Sequence, residues 1–380
     1  MTRWVKSSAI LSSTIIGAGI FSLPYVFKTT GIYLGAFYLI VGVLVITLIH
    51  LFYAEILLSS DKKEGFVGYV KEYLNKPLSY LSFFNSVVAV IVDMTIFLLL
   101  SGSFLKLLNI DNSIGVMVFW LAGSWVFFWK MKSISRAEIL GFFGIVLTII
   151  IIALYAISKH SLLLPNPSRL NLETFLFPLA PILFSLYGRT GIPIVLKNEE
   201  SNLNKADSKK SIILGTILPG IIYLTFIISV FGITPTPSPD TIGGLTQILP
   251  SPLLIIIGIL GIVALWTTYI TFELDVRKII TWDFKIPSSI STGIVIITPL
   301  ILWLMGIRNF IQLVSISGGI LLPVEAIIIS LIALKISSHK NSLFFSKKYL
   351  LLSVSFVVIL MTIVAFFELW NILYILSAHF

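Results

Sequence analysis

The 380-residue chain is 57% hydrophobic and 11% charged, with a mean hydropathy of +1.04, a composition that excludes a soluble globular domain. Its net charge of +9 comes from basic residues scattered between apolar runs, with no basic stripe or aromatic-rich binding motif, which excludes nucleic-acid binding. With no cysteine and four scattered histidines (His50, His160, His339, His379), the chain lacks disulfides and thiolate ligands, and no metal or organic cofactor is expected.

A helix needs roughly 20 apolar residues to cross the hydrocarbon core, and no strand-length alternation runs through the sequence, so an all-α integral membrane protein is expected. Eleven spans are read at 7–27, 31–58, 78–108, 113–130, 137–158, 173–195, 209–233, 250–274, 286–305, 309–334 and 349–378. Arg3 and Lys6 precede the first run as in a signal peptide, but no A-x-A-like site follows and the run is read as retained. Of the 26 lysines and arginines, Arg189 lies within a span, five (Lys28, Lys106, Lys159, Arg169, Arg308) fall in one set of alternate connections, and the remaining twenty fall in the other set. This bias places the chain in the cell membrane with a cytoplasmic N-terminus and an extracytoplasmic C-terminus.

Along the chain, the first irregularity is in span one, TIIGAGIFSLPYVF at 14–27, an apolar helix carrying two glycines and a proline. The stretch 59–77 follows span two; Phe66, Val67, Val70, Tyr73 and Leu74 recur there at helical spacing, which fits either a short amphipathic helix at the inner surface or an ordinary charged loop. Span three carries Asp93 midway. Span six, PLAPILFSLYGRTGIPIVLK at 178–197, repeats the interruption of span one with Gly188, Gly191 and Pro193. Spans one and six each begin a set of five, the pattern of a 5+5 inverted repeat whose discontinuous helices meet at the midplane. The expected organisation is one transporter domain over 1–380, with a first repeat at 1–158, a second at 173–334, and helix 11 at 349–378 appended.

Within hydrocarbon an unwound turn survives only where it is buried in protein or lines a polar cavity. It frees amides of the following half-helix, which attract an anion, and carbonyls of the preceding one, which attract a cation. The amides of Gly17, Ala18, Gly19 and Ile20 are therefore expected to receive a carboxylate. Carbonyls from Thr14 to Ile16 and at Phe184, Ser185 and Leu186 are expected to receive an ammonium group, with the hydroxyls of Thr14 and Ser185 adding hydrogen bonds. Both ends on one carbon describe an α-amino acid, whose side chain Phe184, Tyr187 and residues of spans three and eight would surround. Pro24 is read as shaping the second half-helix.

GAGIFSLPYVF after a short basic N-terminus, YAEILL ending span two, FSLYGRTGIP in span six and TTYITFELDVRKIITWDFKIP closing span eight resemble the amino acid/auxin permease and aromatic amino acid permease branch of the amino acid–polyamine–organocation superfamily. The resemblance covers essentially the whole chain and implies a leucine-transporter-like fold and secondary active transport of amino acids by alternating access. It carries over Gly17, Ala18 and Gly19 as the carboxylate loop and Phe184 to Gly188 as the second half of the site. Sodium-coupled members of the branch place an asparagine four residues before the first glycine, where this chain has Ser13. A sodium ion would fall to Ser13, Ile16 and the hydroxyls of Thr267, Thr268 and Thr271; alternatively these threonines bond their own helix backbone. Proton coupling is an equal candidate.

Charges at membrane depth are expensive and functional by default. Asp93 is read as a proton carrier, a contact for the substrate amine, or a neutral hydrogen-bonded group. Arg189 is read first as a gate residue reaching toward the outer vestibule, and otherwise as a partner of Asp93, Glu325 or a second substrate carboxylate. Glu55 and Glu273 sit near cytoplasmic span ends, Glu368 lies in the appended span, and Asp275, Arg277 and Lys278 are candidates for an inner-gate network. A converging nucleophile, base or metal cluster is missing, so an enzyme is not expected. The reading is a transporter of neutral or aromatic amino acids, driven by a proton or sodium gradient, whose partners are the amino acid and the bilayer. The alternative is an amino-acid-sensing receptor on the same fold.

Overall fold

A computed structural model describes residues 3–60, 64–125, 134–159, 162–165, 171–199, 205–278, 281, 287–339 and 342–377. The chain opens with α1 (Arg3–Ile15), which stops before Gly17; a single 3-10 turn (Ala18–Ser22) then leads into α2 (Leu23–Thr30). Pro24 lies in the first turn of α2, where its missing N–H would have had no intrahelical partner. The two halves are bent by 55°. Then come α3 (Ile32–Ser59), the short α4 (Phe66–Tyr73), α5 (Lys76–Lys106), α6 (Asn112–Trp125) and α7 (Ile134–Ser158). Phe66, Val67, Tyr69 and Val70 of α4 are buried while Lys71 and Glu72 are exposed, so the stretch after span two is the amphipathic helix rather than a plain charged loop.

The sixth span is assembled from α8 (Leu172–Leu176), α9 (Leu179–Leu186), a 3-10 turn (Arg189–Gly191) and α10 (Ile192–Glu199). It is followed by α11 (Lys205–Phe231), the outer-loop turn α12 (Ile242–Leu245), α13 (Ser251–Lys278) and α14 (Ser288–Leu304). Span ten is α15 (Phe310–Ile316) joined to α16 (Leu322–His339) through a π-helical turn (Ser317–Leu321), and α17 (Lys347–Ser377) closes the chain. Side-chain caps fix several starts: Asn75 Oδ1 accepts the Leu78 amide at 2.9 Å ahead of α5, and Asn309 Oδ1 accepts the Gln312 amide at 3.2 Å ahead of α15.

Among the described residues, eight helices are long and apolar enough to cross a membrane, nine with the bent first pair counted as one span. The fourth and ninth expected spans are the shorter α6 and α14, of 14 and 17 residues; residues 126–130 of the fourth lie outside the described residues. Helix α13 packs on α7 and α5, α1 on α11, and α16 on α17. Lipid offers no hydrophobic drive for helices to associate, so close packing and interhelical hydrogen bonds must hold them. Between α1 and α11, Ser12 Oγ donates to the Gly215 carbonyl at 3.0 Å. Large apolar side chains such as Leu44, Ile359 and Phe366 stay exposed on the outer faces, as lipid contact requires.

Candidate functional site

The two interruptions meet. In span one, Gly17 is extended (φ −138°, ψ −151°) ahead of the 3-10 turn. In span six, Tyr187 is extended (φ −78°, ψ 125°) after α9. A Cβ on Gly19 would lie 2.6 Å from Ser185 Cα, and one on Gly188 would lie 2.4 Å from Ile15 Cγ1. The glycines thus let each break seat directly on the other. Beside them, facing α5, α13 and the π-helical turn, is a cavity of about 110 Å³.

Thr14, Gly17, Ala18, Gly19, Phe184, Ser185, Tyr187 and Gly188 line this cavity, together with Asp93 and Arg189. Ile16, Ile20 and Leu186 do not; they are buried in the surrounding core, because successive residues of a turn face different sides. Thr14 Oγ1 donates to the Ile10 carbonyl at 3.1 Å and Ser185 Oγ to the Pro181 carbonyl at 2.7 Å, so each offers the cavity only lone pairs. Of the residues expected around an ion, Ser13 Oγ donates to the Ile10 carbonyl at 2.7 Å, while Thr267 and Thr268 both donate to the Ala264 carbonyl, at 2.9 and 3.0 Å. Of these only Thr268 lines the cavity. The side chains of Thr271, Glu273, Asp275, Arg277 and Lys278 lie outside the described residues.

Asp93 faces the cavity from α5, and its Oδ1 accepts the Ser317 hydroxyl of the π-helical turn at 2.6 Å. Four residues further along α5, Phe97 lines the same cavity and meets Phe272 of α13 edge-on, ring centroids 5.4 Å apart. With Phe184 they supply an aromatic wall.

Arg189 is not turned outward. Its Nε pairs with Glu325 Oε1 of α16, the two side chains being 13% and 6% exposed. Its guanidinium lies over the rings of Tyr53 (5.3 Å) and Phe66 (4.9 Å). Phe66 belongs to α4, so Arg189 joins span six to α4 and α16 at one end of the cavity. Glu325 sits in the first turn of α16, where the helix dipole favours a carboxylate.

Two groups outside the reach of sequence reasoning hold the breaks. His50 of α3 is fully buried; its Nε2 accepts the Gly188 amide at 3.2 Å and its Nδ1 lies 3.0 Å from Thr216 Oγ1. The Thr216 hydroxyl donates to the Ile212 carbonyl at 2.9 Å, so Nδ1 carries the ring proton and the imidazole is neutral. Tyr223 of α11 places its hydroxyl 3.1 Å from the Ile15 carbonyl and 2.6 Å from the Ser185 carbonyl. Both residues sit mid-span with no polar neighbour pattern to mark them. Ser317 carries a local signal, a third glycine-containing interruption, SISGG, in span ten. Among the described residues no group of three metal-ligating side chains occurs.

Solved structures share this architecture. MhsT in complex with L-phenylalanine aligns with a TM-score of 0.63 at 16% identity, covering 95% of this chain and 98% of that one. A manganese transporter of Eremococcus coleocola, in complex with an aromatic bis-isothiourea compound, gives 0.61 at 11%, covering 97% and 94%. Mhp1, a nucleobase-cation-symport-1 family transporter in a closed conformation with bromovinylhydantoin bound, gives 0.60 at 13%, covering 85% and 76%. No curated protein sequence matches significantly. The fold, with its first and sixth spans broken at a shared cavity, is that of the leucine-transporter-like membrane transporters. Residues 1–371 match the tryptophan/tyrosine permease family, and the chain belongs to it.

Proposed function

We propose that this permease carries aromatic amino acids across the cell membrane by alternating access, with the substrate held between the two breaks. The observation that carries the reading is the cavity itself, which joins bare backbone at Gly17 to Gly19 with the aromatic wall of Phe97, Phe184 and Phe272. The amides following the first break receive the α-carboxylate, since they begin a half-helix and have no intrahelical acceptor. The ring of the substrate lies against the aromatic wall, with edge-to-face contacts worth about 0.5–1.5 kcal/mol each beyond burial. MhsT, which shares the fold, was solved with an aromatic amino acid.

The chain crosses the membrane eleven times with its N-terminus in the cytoplasm, as two inverted repeats of five plus α17. A bundle containing spans one and six moves against the remainder, and the site faces one side at a time. Transport is coupled to a proton or a sodium gradient, with Asp93 as the candidate proton carrier: it faces the cavity and is held by a single neutral hydroxyl. Uptake of labelled tryptophan, tyrosine and phenylalanine into proteoliposomes, under imposed proton and sodium gradients, tests the reading. Accumulation driven by one gradient supports it; binding without accumulation indicates a receptor, and absence of both refutes an amino-acid site.

A further inference from the structure

The carbonyls that end a broken half-helix are electronegative and, in an unwound membrane segment, are natural ligands for a cation. In this chain two of them converge on one atom of the protein. The Ile15 carbonyl, last of α1, and the Ser185 carbonyl, near the end of α9, point at the hydroxyl of Tyr223, at 3.1 and 2.6 Å. Tyr223 comes from α11, 208 residues from Ile15, and its side chain is fully buried. The breaks themselves are in direct contact, Gly19 against Ser185 and Gly188 against Ile15. A phenol has one proton and gives it to the nearer carbonyl or shares it between the two; either way the partial positive charge between both half-helix ends is supplied by a covalent part of the protein.

We infer that Tyr223 is a positioning residue whose hydroxyl stands in for a cation between the two breaks, so that the substrate site is assembled without sodium at this point. This rests on the reading of the cavity as an amino-acid site and goes beyond it in narrowing where coupling can occur. The carbonyls of Ile15 and Ser185 are turned toward the hydroxyl of Tyr223 on α11. A coupling ion bound between spans one and six would have to displace a buried phenol from both carbonyls at once.

The test uses the full-length chain in detergent, with tryptophan affinity read from thermal-shift titrations in sodium and in choline buffer. Wild type is expected to bind tryptophan with the same affinity, within about twofold, in both. Tyr223→Phe keeps the ring and deletes the hydroxyl; it should weaken tryptophan binding about tenfold, the equivalent of about 1.4 kcal/mol. Tyr38→Phe, a buried tyrosine of α3 packed against Phe175 at the other end of the fold, should bind as wild type. Wild-type binding that requires sodium, or Tyr223→Phe binding as tightly as wild type, overturns the inference. If Tyr223→Phe does not fold, the sodium comparison on wild type decides alone. Wild type binding no aromatic amino acid in either buffer is a different result, under which the functional reading falls and takes this inference with it.

Discussion

The two glycines of the first break make opposite demands on the structure, and substituting each separates binding from folding. A Cβ on Gly17 would have as its nearest neighbour the Ile15 carbonyl oxygen at 4.0 Å, and the residue is extended at φ −138° and ψ −151°, a conformation β-branched residues adopt without strain. Gly17→Val should therefore fold, with a melting temperature close to wild type. Its side chain enters space beside the cavity that Gly17 lines. Crowding costs about 1–3 kcal/mol and a lost bond to a carboxylate about 1.5–3 kcal/mol, so tryptophan affinity should fall by roughly two orders of magnitude. Gly19→Ala is a smaller change with a structural consequence. Its Cβ would sit 2.6 Å from Ser185 Cα and 2.7 Å from Ser185 Oγ, and since backbone cannot yield as a side chain does, the breaks must separate. This variant should melt lower by several degrees before any ligand is added. Thermal melting in detergent with and without tryptophan reads both. Gly17→Val binding tryptophan at wild-type affinity would refute the carboxylate loop, and equal melting of Gly19→Ala and wild type would refute the contact between the breaks.

Substitutions of Glu325, Asp93 and His50 probe the charged and polar frame. Glu325→Gln leaves Arg189 buried without its anion, a cost of about 3–5 kcal/mol that opening this end of the cavity relieves. Because the chain has no cysteine, Ser86→Cys in the cavity lining gives a unique label site. Its maleimide reaction should accelerate at least about tenfold in the Glu325→Gln background, and an unchanged rate would rule out the closing role. Asp93→Asn retains the bond from Ser317 but cannot carry a proton; proton-driven accumulation of tryptophan should vanish while exchange across the same vesicles persists, and undiminished accumulation would remove Asp93 from coupling. His50→Leu orphans the Gly188 amide, which costs about 1–3 kcal/mol, so the melting temperature should drop, and His50→Gln, which restores an acceptor, should recover part of it; identical melting of all three proteins would show that the imidazole does not hold the break.

Sequence carried the two breaks because in uniformly apolar helices glycine and proline are the conspicuous residues, and unwinding is decided locally. It carried Asp93 for the same reason, as the lone charge in VAVIVDMTIFLL. What it lacked was helix rotation. Ile16, Ile20 and Leu186 fall inside the break windows yet face the core, and Tyr223 and His50 face the breaks from helices whose sequence has no polar stripe to orient them. Nothing local to Arg189 marks its surroundings, because its partners are tertiary: Glu325 comes from α16 and Phe66 from α4. Length leaves the count of spans open, since α14 has 17 residues and α6 runs 14 residues up to position 125, beyond which 126–133 lie outside the described residues. The interruption at 317–321 leaves the apolar run unbroken because a π-helical turn inserts residues without ending the helix.

The distribution of hydrogen bonds explains how such a cavity can open at one end only. Tyr223, His50 and Ser12 tie spans one, two, six and seven to one another through uncharged bonds to backbone groups in the buried interior. Breaking any of these leaves a polar group unpaired away from water, at several kcal/mol each, so these four spans keep their mutual arrangement. The contacts that close the cavity lie at its ends. At one end they are the Arg189–Glu325 pair and the rings of Tyr53 and Phe66 against it. At the other, Thr241 Oγ1 donates to the Phe21 carbonyl at 2.6 Å, and its neighbour Asp240 accepts from Ser103 of α5, so the loop ahead of α12 bridges span one to span three. Phe21 lies edge-on to Phe104 and Phe226, at 5.2 and 5.7 Å between centroids, directly under that bridge. Where both partners reach water together, the net cost is about 0.5–1.5 kcal/mol for the neutral Thr241 bond and about 1.5–3 kcal/mol for the bond between the charged groups of Arg189 and Glu325. Opening either end therefore costs less than deforming the body that holds the breaks, and a substrate bound as proposed between them would be carried intact from one side to the other.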